Sequence, residues 1–146
     1  MFKKILFVCV GNICRSPTAE LLMRHRLQGR AGVEVSSAGL QALVGRPVDP
    51  EAAALLRIAG VDPETHKARQ ASPSVLAAAD LILVMEQVHQ VKIAREVPQV
   101  SGKTFLLGKW CGQREIPDPY RQSREAFEHV YQLIDQCVDS WTPYIK

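Results

Sequence analysis

Val8-Cys9-Val10-Gly11-Asn12-Ile13-Cys14-Arg15-Ser16-Pro17 sits between an apolar run, Ile5 to Val8, and a segment that opens Pro17-Thr18-Ala19-Glu20-Leu21-Leu22-Met23. The run reads as a buried strand, and the segment as a helix with Ser16 as its N-cap and Pro17 at its first position. The stretch is therefore a loop from a strand to a helix. A loop running into a helix N-terminus points several unpaired backbone N–H groups at one spot, which suits a phosphate-sized anion. Gly11 allows close backbone approach or a positive φ, and Asn12 tolerates the left-handed conformation such a nest requires. Arg15 adds a charged planar fork for two phosphate oxygens. The same positive surroundings favour Cys9 as a thiolate nucleophile.

A cysteine at the end of a buried strand is usually a small core residue. Cys, Gly, Asn, Arg and Ser together, at this spacing between a strand and a helix, argue for chemistry instead. Cys9 and Cys14 are not a C-x-x-C pair, and no second ligand pair follows, so no metal site is expected. Neither the G-x-x-x-x-G-K-[ST] loop nor the dinucleotide fingerprint is present.

The rest of the chain supplies a frame for this loop. Its 146 residues, 47% of them hydrophobic, fit one domain, residues 1–146, with a substantial core. The 18 Lys and Arg against 15 Asp and Glu give a net charge of +3, which favours anionic ligands without the clustering of a nucleic-acid footprint. Met1-Phe2-Lys3-Lys4 and the short apolar run after it do not make a signal peptide, and no run approaches the ~20 residues that span a bilayer. A cytoplasmic protein without membrane insertion is the expectation, with its four cysteines as thiols.

Strand-like and helix-like segments alternate along the chain. Ala19, Leu22, Met23 and Leu27 recur at helical spacing, with Glu20, Arg24 and Arg26 between them, in a helix expected to end near Gly29. Val33 to Gly39 reads as a second strand and Leu40 to Val48 as a loop. Asp49 and Pro50 open a helix that Gly60 stops. A polar stretch then leads to a short helical turn around Val75 to Ala79. Leu81-Ile82-Leu83-Val84-Met85 has the continuous apolarity of a strand buried on both faces. Glu86 to Val97 reads as a helix, Lys103 to Leu107 as a fourth strand, and Gly108 to Gln122 as a long loop. In the last helix Ala126, Phe127, Val130, Tyr131, Ile134, Cys137, Val138 and Trp141 form one stripe. The alternation predicts an α/β fold, a four-stranded parallel sheet with helices on both faces. A central first strand then puts Cys9 to Arg15 at a topological switch point.

Val8 to Pro17, together with Asp118-Pro119-Tyr120, resembles the low-molecular-weight protein tyrosine phosphatases, and the likeness extends through Ser37-Ala38-Gly39, His66-Lys67-Ala68-Arg69-Gln70 and the closing helix. Cys-x5-Arg alone occurs in several phosphatase folds; its position at residue 9, with Asp118 far downstream, is specific to this one. The chain looks most like the bacterial members encoded with capsule or exopolysaccharide export, whose usual partner is a membrane tyrosine autokinase. Tyr120 is followed by Arg121 where the animal enzymes carry a second tyrosine.

The resemblance implies that Cys9 attacks phosphotyrosine to form a phosphocysteine intermediate. The amides of the phosphate-binding loop Val10, Gly11, Asn12, Ile13, Cys14, Arg15 and Ser16, with the Arg15 guanidinium, would hold the equatorial oxygens. Asp118 would protonate the leaving phenolate and later activate water. No cofactor is implied, and inorganic phosphate or other oxyanions should bind. By the family pattern Asn12, Ser37 and His66 brace the loop through hydrogen bonds. For Ser16 two readings stay open, which can coexist: a donor to the Cys9 sulfur that helps it leave, or only the helix cap. Tyr120 is expected to wall the pocket, with Leu40 and Leu43 opposite, though a core role for either leucine stays open. Cys14 lies in the same loop as Cys9, so an oxidised Cys9 could condense with it reversibly. His25, His89 and His129 are expected to be solvated, Cys137 to be core, and Cys111 and Glu86 receive no role.

Two other functions compete. An arsenate reductase on the same fold needs further relay cysteines near the third strand, and Leu83 to Arg95 has none. A non-catalytic phosphate or phosphotyrosine-binding module has no use for both Cys9 and Asp118.

Overall fold

The computed structural model describes residues 2–28 and 30–145. Four parallel strands, β1 (Lys4–Cys9), β2 (Glu34–Gly39), β3 (Leu81–Val84) and β4 (Thr104–Leu106), form one sheet in the order β2-β1-β3-β4. β1 is thus internal, with Cys9 beside Gly39 of β2 and Val8 beside Val84 of β3 at its carboxyl end. The connection leaving β1 runs toward β2 and the one leaving β3 runs toward β4 on the other side, and that divergence opens the crevice a ligand fills. β3 is fully buried along its length, as its unbroken apolarity predicts.

Five helices cover the sheet: α1 (Arg15–Arg26), α2 (Pro50–Ile58), α3 (Pro73–Ala78), α4 (Gln87–Glu96) and α5 (Arg124–Trp141). The alternation of strand side chains divides the core. Ile5, Phe7, Leu81 and Leu83 pack with α1, α2 and α5, whereas Leu6, Val8, Ile82 and Val84 pack with α3 and α4. α5 carries the expected stripe, to which Leu133 is added, while Ala126 and Tyr131 lie at its margin. The buried Trp141 donates its indole N–H to the Leu107 carbonyl at 2.8 Å.

Local chemistry sets most helix ends. Asp49 caps α2 by accepting the Glu51 amide at 2.9 Å, with Pro50 in the first turn. Ser72 caps α3 and Ser123 caps α5 in the same way. α1 departs from expectation: it begins at Arg15 with Cys14 in the cap position, and Ser16 lies inside it without capping. The hydroxyl of Ser16 is taken by groups of the preceding loop, which outcompete its own helix. α1 ends at Arg26, and the expected stop at Gly29 lies outside the described residues. Its Arg15 to Met23 face is buried all round, Glu20 included, because the helix is sandwiched by the sheet, α2 and α5.

No helix of the described residues is long and apolar enough to cross a membrane. Among them all four cysteines are free thiols, and no cluster of three or more His, Cys, Asp or Glu suits a metal ion.

Candidate active site

Each carbonyl from Cys9 to Cys14 is claimed from outside the loop. Leu40, Gln41 and Leu43 donate their amides to Cys9, Val10 and Gly11 at 2.9, 2.9 and 3.0 Å. His66 Nε2 donates to the Asn12 carbonyl at 2.7 Å, Asp49 to Ile13 at 2.7 Å, and Thr18 to Cys14 at 3.1 Å. The amides of Gly11, Asn12, Ile13 and Cys14, by contrast, have no backbone acceptor among the described residues. With carbonyls turned out and amides left over, the loop is a concave donor surface at the start of α1. It forms the floor of a cavity of ≈ 180 Å³ lined by Cys9 to Arg15 with Gln41, Leu43, Asp118 and Tyr120.

The backbone shape depends on two positions. Asn12 is left-handed, φ 59°, as its residue type permits. A Cβ on Gly39 would sit 2.4 Å from the Val10 carbonyl oxygen, so the neighbouring strand must be glycine there for the loop to pass. Gly11, by contrast, does not have a positive φ, and within the protein a Cβ on it would meet only side chains at 3.7 Å or more; it lines the cavity.

A buried polar network braces the loop. Asn12 Nδ2 donates to Ser16 Oγ at 2.7 Å and to Ser37 Oγ at 2.9 Å, and Asn12 Oδ1 accepts the Arg69 amide at 2.9 Å. Ser37 Oγ donates to Glu20 Oε1 at 2.6 Å, and Arg24 closes on the other oxygen, Oε2, at 2.5 Å. His66 is buried, not superficial, and its Nδ1 lies 4.0 Å from Glu20 Oε1. Asn12, Ser37 and His66 thus come together, with Glu20 as the buried acceptor beneath them. Glu20 eluded the sequence reading because helical periodicity put it among solvent-facing charges.

Cys9 lies at the base of the cavity, 3% exposed, with its Sγ 2.9 Å from Ser16 Oγ. Burial pushes the Cys14 thiol far up, and the nearby Cys9, Asp49 and Asp118 add to this while Arg15 opposes it. Cys14 is therefore a neutral thiol at neutral pH. Arg15, 2% exposed, donates from Nη1 to Glu86 Oε2 at 2.6 Å and to the Ile116 carbonyl at 2.8 Å. Its Nη2 lies 3.8 Å from Asp118 Oδ2. Glu86, which the sequence left without a role, orients the arginine from the end of β3. It also makes a reciprocal cap with His89, accepting from the α4 backbone while His89 Nδ1 accepts the Glu86 amide at 3.2 Å. His89 is accordingly buried rather than solvated, and burial together with Arg15 lowers its pKa, which keeps the ring neutral.

Asp118 enters from the loop after β4. The Ile116 amide bonds to the Met85 carbonyl at 2.8 Å, and Asp118 Oδ1 accepts the Tyr120 amide at 3.0 Å. The remaining oxygen faces the cavity beside Arg15. Tyr120 and Leu43 are both at the cavity, but Leu40 is not; its side chain packs on the core between the sheet and α3, and Gln41 takes its place in the lining. A one-residue shift decides this, because successive side chains leaving β2 face opposite ways.

Comparison with known proteins agrees with this geometry. The family model described as low molecular weight phosphotyrosine protein phosphatase matches residues 4–146. The low molecular weight protein-tyrosine-phosphatase Wzb of Salmonella typhimurium is 48% identical over 97% of this chain and 93% of its own length. The structure of Vibrio vulnificus Wzb in complex with benzylphosphonate superposes with a TM-score of 0.93 at 44% identity, covering 99% of this chain and all of that one. The YwlE arginine phosphatase from Geobacillus stearothermophilus shares the fold at 30% identity, TM-score 0.88, over 96% of this chain and 90% of its own. A match along nearly the whole chain places this protein in the low molecular weight phosphotyrosine protein phosphatase family, as a phosphatase enzyme.

Proposed function

We propose that residues 1–146 act as one domain that hydrolyses phosphotyrosine through a phosphocysteine intermediate. The observation that carries this is the inversion of the backbone around a cysteine sulfur, the Cys9–Cys14 carbonyls occupied and the Gly11–Cys14 amides without a backbone acceptor among the described residues. Phosphate enters with its oxygens on the amides of Gly11 to Cys14 and on Arg15, and Cys9 Sγ attacks phosphorus opposite the leaving oxygen. The amides are already oriented, so the charge developing on the equatorial oxygens is stabilised without reorganisation. Asp118 gives its proton to the departing phenolate and then, as carboxylate, takes one from the water that attacks the phosphocysteine. The Ser16 hydroxyl, in contact with Sγ, supports the sulfur when it leaves.

Tyr120 and Leu43 suit an aryl group above the phosphate. The likeness to an arginine phosphatase shows that the fold alone does not fix the leaving group. Purified protein should hydrolyse phosphotyrosine and aryl phosphates without added metal and leave phosphoarginine largely intact. Activity retained by Cys9→Ser, or a preference for phosphoarginine, would contradict the reading.

By resemblance to the capsule and exopolysaccharide branch, the physiological substrate is a membrane tyrosine autokinase of exopolysaccharide export, met in the cytoplasm. A Cys9→Ser trapping variant that retains other phosphoproteins but not such a kinase would overturn this. Cys14 is further proposed to capture an oxidised Cys9: the Cys14 sulfur displaces water from a Cys9 sulfenic acid, and the disulfide shields the nucleophile until reduced. Its raised pKa slows that capture, since the thiolate is the attacking species. After peroxide and then reductant, Cys14→Ser should recover less activity than the parent; equal recovery removes the role.

A further inference from the structure

The turn that carries Tyr120 holds a residue the mechanism does not use. Pro119 to Gln122 closes with the Gln122 amide on the Pro119 carbonyl at 2.8 Å, and Arg121, its third residue, is left-handed with φ 63°. Glycine adopts that conformation freely; arginine holds it under strain, which persists only where the surroundings compensate. Part of the compensation is visible. The Arg121 guanidinium lies over the Tyr120 ring, 5.3 Å from its centroid, and that ring lines the cavity. Arg121 is otherwise exposed, and no carboxylate of the described residues pairs with it.

We propose that Arg121 is a specificity-determining residue, which holds the Tyr120 wall and presents its positive charge at the cavity mouth to select phosphotyrosine peptides with Asp or Glu beside the phosphotyrosine. The inference rests on the phosphotyrosine reading above. A phosphotyrosine ring standing between Tyr120 and Leu43 brings its own backbone to the rim, so neighbouring side chains pass the guanidinium. Asp118 faces Arg15, Glu115 accepts the Gln87 amide at 2.7 Å, and neither pairs with Arg121. Acidic flanks therefore meet the Arg121 cation, and basic flanks meet its repulsion.

The test uses two phosphotyrosine peptides that differ only in two flanking residues, both Asp in one and both Lys in the other. The quantity read is the ratio of their kcat/KM values within each variant, so that a general loss of activity cancels. The parent should prefer the acidic peptide by about tenfold, the size expected when two exposed charge pairs, each worth a few fold, turn from attractive to repulsive. Arg121→Gln should bring the ratio close to one, Arg121→Glu should invert it, and Arg121→Lys should keep most of it. Arg124→Gln, with the same change in net charge on a side chain that pairs with Glu128 at 3.6 Å, should leave it where it was. High salt should flatten the parent's ratio. A parent ratio near one, or Arg121→Gln and Arg121→Glu ratios equal to the parent's, would overturn the inference while leaving phosphotyrosine hydrolysis intact. If neither peptide is hydrolysed, the phosphotyrosine reading fails and takes this one with it.

Discussion

The loop from Cys9 to Arg15 and the segment from Ile116 to Arg121 meet at one cavity, but they are held in opposite ways. The first is buried and tied at each carbonyl, with Asn12, Ser37, Glu20 and His66 packed beneath it. The second hangs from the Met85 carbonyl at Ile116, then carries Asp118 into solvent, its side chain 49% exposed against 2% for Arg15. The difference follows the chemistry. Stabilising charge on phosphate oxygens needs donors fixed before the substrate arrives. Moving a proton onto a leaving group needs an acid that reaches a variable substrate and then exchanges with water. On the mechanism proposed above, the cradle alone would be a binding site, and the exposed acid would make it a catalyst.

Substitutions on each side should separate the two roles. Cys9→Ser should remove hydrolysis of every substrate, by on the order of 10⁴-fold or more, while the cradle still binds inorganic phosphate. Loss of phosphate binding along with activity would show that the variant disturbs the loop rather than the nucleophile. Asp118→Ala should lower kcat for phosphotyrosine by about 10²- to 10³-fold, the usual worth of a positioned general acid. Thermal stability should hardly change, because the side chain is half exposed and contributes few contacts.

Smaller effects sharpen the contrast. Glu86→Gln keeps the shape of the side chain but removes the charge that orients Arg15; kcat/KM for an aryl phosphate should fall about tenfold, or about 1.4 kcal/mol. An unchanged value would mean that the Ile116 carbonyl alone positions the arginine. Ser37→Ala leaves Glu20 and Asn12 each short of a partner in a buried site, which costs about 1–3 kcal/mol of stability in urea unfolding, with only a few-fold loss of activity. Activity lost without stability would put Ser37 in the reaction itself. The least effect is expected away from both regions. The amides of Lys3 and Lys4 hold the Asp80 carboxyl below the usual carboxylate range, so it stabilises the fold at neutral pH and loses that contribution as pH falls through and below about 4. Asp80→Asn should flatten that acid limb of the stability profile and leave kcat untouched.

The tight region was the more legible of the two in the sequence, though not in all its parts. A strand, a loop with its Cys, Asn and Arg, and a helix are contiguous, and contiguous patterns can be read. The sheet followed from alternation, and β3 from five apolar residues in a row. Ser16 misled, because a serine before a helical proline is the ordinary cap, and only the fold shows its hydroxyl turned to Cys9 and Asn12. Glu20 and Glu86 also have local partners, Arg24 and His89, but the contacts that tie them to the site, Ser37 and Arg15, lie 17 and 71 residues away, and no local periodicity marks those. Gly39, too, is explained only by the loop that crosses it. At the loose region, Asp118 between two prolines reads as a plain turn unless the family pattern is recognised. Arg121's left-handed backbone has no sequence signal at all, since arginine does not favour it.

The division between a buried cradle and an exposed acid is tested most directly by a series of aryl phosphates whose phenols differ in acidity, hydrolysed by the parent and by Asp118→Asn. If Asp118 protonates the leaving oxygen, kcat/KM of the parent should vary little across the series, whereas the variant should fall steeply as the phenol becomes less acidic and approach the parent for the most acidic one. Parallel dependences, with the variant slowed equally on every substrate, would contradict this and leave Asp118 only a part of the pocket wall.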